Sequence, residues 1–322
     1  MLKGLALTPP VLGRISIGRV VEKSGKRVPE KDDEFTITSQ VQTRGSWINH
    51  PVDAELRKSV EPANGNVSSN AHAKLRSIPV RLLFDDPDLN LRTNYSLFDR
   101  KTGRPLCVGN GETCRRSTST GIQTLECASP EGCQLGVDQG CKPYGRLNVR
   151  IDVDCDDQTD ELGSFVFRTT GFNSIRTLAA RLQYFQAITG GKLSAMPLEL
   201  RLRGKSTTQS HRAAIFYVDL TVRSGMTLLD AIAQAKATWA EREEAGFAQA
   251  ALDAAARAGL AQGAFEKSAE DGTAVVEEFY PVTGGEATSP TEPDQVDSAR
   301  QESQARPSLG SKLEAKALLL RH

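Results

Sequence analysis

All six cysteines of this 322-residue chain fall between Cys107 and Cys155. They occur as Cys107-Val-Gly-Asn-Gly-Glu-Thr-Cys114, then Cys127-Ala-Ser-Pro-Glu-Gly-Cys133, then Cys141 and Cys155, set among glycines, prolines and charges. Cysteines used as core filler scatter along a chain, whereas cysteines that hold an ion must converge. The segment has too few large apolar residues for a core of its own, so a bound ion is a sufficient reason for it to fold. Four thiolates in tetrahedral geometry leave no position for a substrate, which makes the expected ion a structural zinc. Turn residues favour Cys107, Cys127, Cys133 and Cys141 as ligands, with Cys114 as the natural substitute and Cys155 in an acidic stretch. The spacings lack the C-x2-C pairs of a strong zinc signature, so free structural thiols stay open as the alternative, with disulfides behind both.

A second chemistry-bearing feature is a run of cations. Arg168, Arg176, Arg181, Lys192, Arg201, Arg203, Lys205 and Arg212 face a single acid, Glu199, between residues 168 and 212. Serine, threonine and His211 are interleaved in Gly204-Lys-Ser-Thr-Thr-Gln-Ser-His211. Ammonium, guanidinium and hydroxyl groups in one loop suit phosphates or an acidic protein surface. The alternative is a solvated sheet face whose acids lie elsewhere in sequence.

Other motifs fail. Gly204-Lys205-Ser206 echoes the end of a phosphate loop, but Glu199 stands where its first glycine is needed, and strand patterns flank it on both sides. Asp152, Asp154 and Asp156 alternate like a calcium loop, yet Asp157 and Gly163 occupy the positions of the required glycine and glutamate. His50, His72, His211 and His322 stand apart from acids and nucleophiles, so no catalytic triad is suggested.

The elements that must position these residues follow from periodicity. Alternation over Arg14 to Val21, Glu34 to Val41, Ile78 to Phe84, Arg146 to Val153, Gly163 to Arg168, Pro197 to Leu202 and Ala214 to Val222 predicts strands. Pro79 places its strand at an edge or a strand start. Ile175, Leu178, Ala179, Leu182 and Ile188 share one helical face, with Asn173 as the cap and Gly190-Gly191 as the stop. Thr227 and Asp230 form a capping-box start for a long alanine-rich helix reaching about residue 259. From about 263 the composition turns polar and reads as a disordered tail, with a helix at Leu313 to Arg321 formed only on docking.

Composition sets limits. The formal net charge is zero, with 25% charged and 39% hydrophobic residues, so no global charge argument for nucleic acid exists. The N-terminus reads as no signal peptide and no apolar run approaches a membrane span, which points to a cytoplasmic protein.

Several stretches carry a resemblance. They are Ile78-Pro-Val-Arg-Leu-Leu-Phe84, Cys107-Val-Gly-Asn-Gly-Glu112, Cys141-Lys-Pro-Tyr-Gly-Arg-Leu-Asn148, FVFRTTGFNSIRTL at 165–178 and PLELRLRGKSTTQSHRAAIFYVD at 197–219. Over about residues 10–235 the chain resembles the recombination directionality factor-like family of phages and other mobile elements that use large serine integrases. The resemblance implies an accessory protein, not an enzyme, that binds the integrase on its attachment sites and favours excision.

The expectation is therefore an α+β core at 1–225, mainly antiparallel sheet with a packed helix and a Cys-rich zinc knuckle inserted at about 105–157. A C-terminal helix at 226–262 and a disordered tail at 263–322 complete it. Arg168, Arg176, Arg201, Arg203, Lys205, His211 and Arg212 are the expected contacts to a serine recombinase on DNA. A nucleic-acid-binding protein of the element is the alternative, and a metal-dependent hydrolase ranks third, since no open His and carboxylate ligand set is visible.

Overall fold

Alternating apolar and polar residues lay down a sheet that the rest of the chain packs against. The computed structural model describes residues 10–23, 26–43, 46–60, 74–153, 163–206, 214–260, 276, 279 and 280. All lie in the compact unit Met1–Thr283. The strands are β1 (Val11–Lys23), β2 (Lys26–Thr43), β3 (Ser46–Asn49), β4 (Ser77–Arg81), β5 (Leu91–Phe98) and β6 (Pro105–Gly109). They continue with β7 (Thr113–Thr118), β8 (Gly121–Glu126), β9 (Lys142–Ile151), β10 (Ser164–Thr169), β11 (Leu198–Ser206) and β12 (Ala214–Val222). The helices are α1 (Pro51–Val60), α2 (Pro87–Asn90), α3 (Ser129–Gly132), α4 (Gln134–Gln139), α5 (Phe172–Thr189), α6 (Leu228–Glu244) and α7 (Gln249–Leu260).

The strand order is β3-β2-β1-β10-β9-β5-β6-β7-β8, and β4, β11 and β12 branch from β9. Only β1 and β10 pair in parallel among the described ladders; the others are antiparallel, so the architecture is α+β as expected. Register explains the layering. Phe165 faces Val149 and Phe167 faces Leu147 across β10 and β9, and alternation sends Val166, Arg168, Asn148 and Arg146 to the opposite side. The apolar side joins Phe35, Ile37, Leu198, Leu200, Val218 and Leu220 with Leu178, Leu182 and Phe185 of α5 in one core.

Pro79 is not at an edge, because β4 pairs with both β11 and β9. In an antiparallel strand the N–H and C=O of one residue point the same way, so the missing donor affects one ladder only. Pro79 accepts from the Asp152 N–H at 2.9 Å where the β9 ladder ends, and no inner ladder bond is lost. Helix α5 also starts differently from the expectation. Gly171 is its N-cap, and the Asn173 side chain instead accepts a hydrogen bond from Lys205 Nζ at 2.9 Å. Its stop is as read: Gly190 has φ 64° and Gly191 donates to Gln186 O at 2.9 Å.

The long C-terminal helix is two helices. Thr227 and Asp230 form the expected capping box of α6, but Gly246 at φ 83° turns the chain before α7 begins. Alanine content alone did not reveal that break, since a glycine inside a helical pattern is also tolerated. The disordered-tail expectation does not hold at Phe279, which is fully buried against Phe98 and Tyr144. Apart from 276, 279 and 280, the residues from 261 onward lie outside the described residues, as do the acidic stretch 154–162 and residues 207–213. Among the described residues no helix is long and apolar enough to cross a membrane.

Asp152 ties the ends of the branch together. It accepts from Arg81 Nε at 2.9 Å and from Arg223 Nη2, while Arg81 Nη1 donates to Ala195 O at 2.9 Å. Burial pushes its carboxyl up, but Arg223 and Arg81 outweigh that and hold it below the usual carboxylate range. A depressed carboxylate stabilises the fold above its unfolded pKa, near 4, roughly, and that contribution is lost as pH falls through the folded value. Melting temperatures measured from pH 7 down to pH 3 should therefore fall on the acid side, and Asp152→Asn should flatten that limb.

Candidate functional site

The thiol cluster is built by hairpins. In the β6–β7 pair Cys107 lies opposite Arg116 and Gly109 opposite Cys114. Cys127 follows β8 with its N–H on Glu112 O at 2.8 Å, and Cys141 donates to Gly136 O at 3.0 Å just after Gly140 closes α4 at φ 82°. Cys133 sits between α3 and α4 as the N-cap of the latter. Cys107, Cys114 and Leu97 make a small core on which Leu106, Cys127, Leu135 and Cys141 pack. Gly109 permits the approach: a Cβ there would stand 2.7 Å from both Cys114 Cβ and Cys127 Sγ. The segment is thus an extension of the sheet with a small apolar centre of its own, where too few large apolar residues for one were expected.

Charge and hydrogen bonding differ among the sulfurs. Arg116 Nη2 donates to Cys133 Sγ at 3.4 Å, and its guanidinium also hydrogen-bonds Cys107. The Gly136 N–H, then Arg116, hold the Cys133 thiol below its usual value. Cys114 Sγ donates to Glu126 O at 3.6 Å, and burial, with Cys107 beside it, pushes this thiol up to about 11. Burial and the nearby Cys107, Cys127 and Cys133 push Cys141 up to about 12. The structure therefore brings Cys107, Cys127, Cys133 and Cys141 into one neighbourhood, with Cys114 among them and Cys155 outside the described residues. All five described cysteines are free thiols. No group of three or more His, Cys, Asp or Glu side chains among the described residues is arranged to hold a metal ion.

The cation run has acids that were hidden in sequence. Asp219 on β12 lies opposite Arg201 and takes Arg181 Nε at 3.1 Å and Arg203 Nε at 3.4 Å. Glu199, buried, pairs with Arg201 and accepts from Ser224 N at 3.0 Å and Thr221 Oγ1 at 3.3 Å. Arg168 is buried in the sheet, beside Arg146. His211 and Arg212 lie outside the described residues. Arg176 stands exposed on α5, as Arg203 does on β11. Around it Phe172 and Tyr184 are 57% and 49% exposed. Spacings of four place Phe172, Arg176 and Tyr184 in one ridge. Sequence reasoning singled out Arg176 but missed the two rings that flank it; the four-residue spacing was the signal available.

The family model for Gp3-like, recombination directionality factor-like proteins matches residues 12–223. The chain belongs to that family. No curated protein and no solved structure matches it. The family region thus contains the thiol cluster, the β11–β12 pair and the α5 ridge, and it ends before α6 and α7 begin. It also contains an arginine row that sequence alone did not suggest. Arg92 on β5, Arg146 on β9 and Arg168 on β10 are aligned by register across three strands. Burial, with Arg146 alongside, brings Arg92 down to about 10. These residues are far apart in sequence, so only strand pairing reveals the row.

Proposed function

We propose that this directionality-factor-like chain is an accessory protein of a mobile element that binds a serine recombinase already on DNA and biases recombination towards excision. Its role is binding and not catalysis: it needs only a higher affinity for one of two assembled states to shift the equilibrium between them. The family match over residues 12–223 carries this reading. The geometry supports a protein partner over bare DNA as the main contact. Arg181, Arg201 and Arg203 already have acidic partners, which removes much of the free positive charge a phosphate backbone requires. The exposed ridge of Phe172, Arg176 and Tyr184 has the aromatic and arginine composition found at the energetic centres of protein interfaces. A mobility-shift titration tests the reading: the chain should supershift a recombinase–DNA complex while leaving free duplex unshifted at moderate salt. Tight, steeply salt-dependent binding to free duplex would favour direct DNA recognition instead.

A structural zinc held by Cys107, Cys127, Cys133 and Cys141 is part of the same proposal. Thiols are the donor type that ion takes, and closing them on it needs side-chain rearrangement from the geometry above; the Gly136 N–H and Arg116 directed at Cys133 Sγ are donors of the kind that support a thiolate. Cys114, the natural substitute ligand, packs in the same cluster with its S–H on Glu126 O. Zinc there would brace the β6–β8 hairpins without offering a reactive position. Purified chain should contain about one zinc, as a closed four-thiolate site binds, and Cys133→Ser with Cys141→Ser should remove it and lower the melting temperature. Elemental analysis and calorimetry give the readout; a stable, fully active, zinc-free double variant would contradict the knuckle.

A further inference from the structure

An aromatic box on the central sheet is filled by a segment from well beyond the family region. Phe279 is fully buried. Its ring meets Phe98 edge-on at 4.9 Å and 77°, and Tyr144 at 5.8 Å and 70°. Tyr280 packs on Phe279 at 4.8 Å and donates its O–H to Phe98 O at 2.8 Å. Cations bracket the rings. Lys142 Nζ is 4.5 Å from the Phe279 ring centre, and Arg100 Cζ is 4.5 Å from that of Tyr280. The Tyr280 N–H bonds Val276 O at 2.8 Å.

Two observations separate site from occupant. Phe98, Arg100, Lys142 and Tyr144 all lie within residues 12–223, whereas Phe279 and Tyr280 lie beyond that region. The occupant's sequence, Val276-Glu-Glu-Phe-Tyr280, also places two acids before its two rings, which complements the cationic rim. An aromatic platform with a cationic rim, occupied by two adjacent aromatic side chains, has the parts of a peptide-recognition site.

We infer that the box of Phe98, Arg100, Lys142 and Tyr144 is a docking site for an acidic segment of a partner protein ending in two adjacent aromatic residues, and that the chain's own 276–280 segment fills it in cis. Covalent attachment gives the internal segment an effective concentration of about the millimolar order. A partner segment must therefore compete with it, so the box is open only when the internal segment is displaced. This inference makes no use of DNA or of a recombinase and stands apart from the proposed function.

Fluorescence anisotropy with a labelled synthetic peptide of residues 272–284 tests it on the full chain. The Phe279→Ala/Tyr280→Ala variant should bind the peptide about tenfold or more tightly than the native chain, whose box is occupied. A peptide lacking both aromatics should not bind, and adding Tyr144→Ala to the double variant should abolish binding. Should the double variant fail to fold, Tyr280→Phe removes only the hydrogen bond to Phe98 O and should still raise peptide affinity by about threefold, as loss of one hydrogen bond allows. Equal binding by the native and altered chains, or equal binding of the peptide without aromatics, would overturn the inference and leave Phe279 as simple tail packing.

Discussion

Replacing Phe172 and Tyr184 together with alanine will leave the melting temperature nearly unchanged and weaken the complex with recombinase on DNA by a hundredfold or more. Both rings project from α5 into solvent, at 57% and 49% exposure, so their removal opens no core cavity. Ile175, Leu178, Leu182 and Phe185, which hold the helix to the sheet, are untouched. Truncating an interface hot spot costs about 2 kcal/mol or more, and two such residues on one ridge give roughly a hundredfold to a thousandfold in affinity. Arg176→Ala between them should cost less, about tenfold, as an exposed charge acts more on encounter than on residence. Binding measured by mobility shift, beside a thermal melt of each variant, checks this. Undiminished binding by a folded double variant would move the interface off α5.

Glu199→Ala has the largest expected effect on stability. This acid looked like the one counter-charge in a basic stretch, yet it is buried between strands and anchors four groups. It pairs with Arg201 and accepts from Thr221 Oγ1, Ser224 N and Ser224 Oγ. Removing it leaves the Ser224 N–H and Thr221 hydroxyl without this acceptor and takes one partner from a half-exposed guanidinium that keeps Ser224 Oγ, a loss of about 2–4 kcal/mol. For a domain of this size the melting temperature should fall by about 10 °C. Glu199→Gln keeps an acceptor for Ser224 and should lose roughly half as much. A change below about 1 kcal/mol for the alanine variant would reduce the contact to an ordinary surface pair.

How much of this was legible in the sequence depended on the range of the interaction. Strands such as Ala214–Val222 and the capping box at Thr227 rest on neighbours a few residues apart, and their patterns survive unchanged in the fold. The α5 stop at Gly190 is equally local. The β5 to β8 strands were missed because short segments with mixed polarity such as Gly121–Glu126 show no clear alternation; pairing to the next strand organises them. Asp219 as the partner of Arg181 and Arg203 was hidden for a related reason, since strand register brings it near and sequence spacing does not. The cysteine choice fared differently: Cys107, Cys127, Cys133 and Cys141 do gather, but Cys114 gathers with them through the Gly109 pair on β6 and β7. Phe279 could not be foreseen at all, because a polar tail composition describes an average and one buried ring does not change it.

The central claim is tested most directly by reconstituted recombination, with a serine recombinase acting on integration and excision substrates. Addition of the purified chain should raise excision and suppress integration, with half-maximal effect at the concentration that supershifts the recombinase–DNA complex. Equal change in both directions, or no change while that complex is demonstrably bound, would contradict the account.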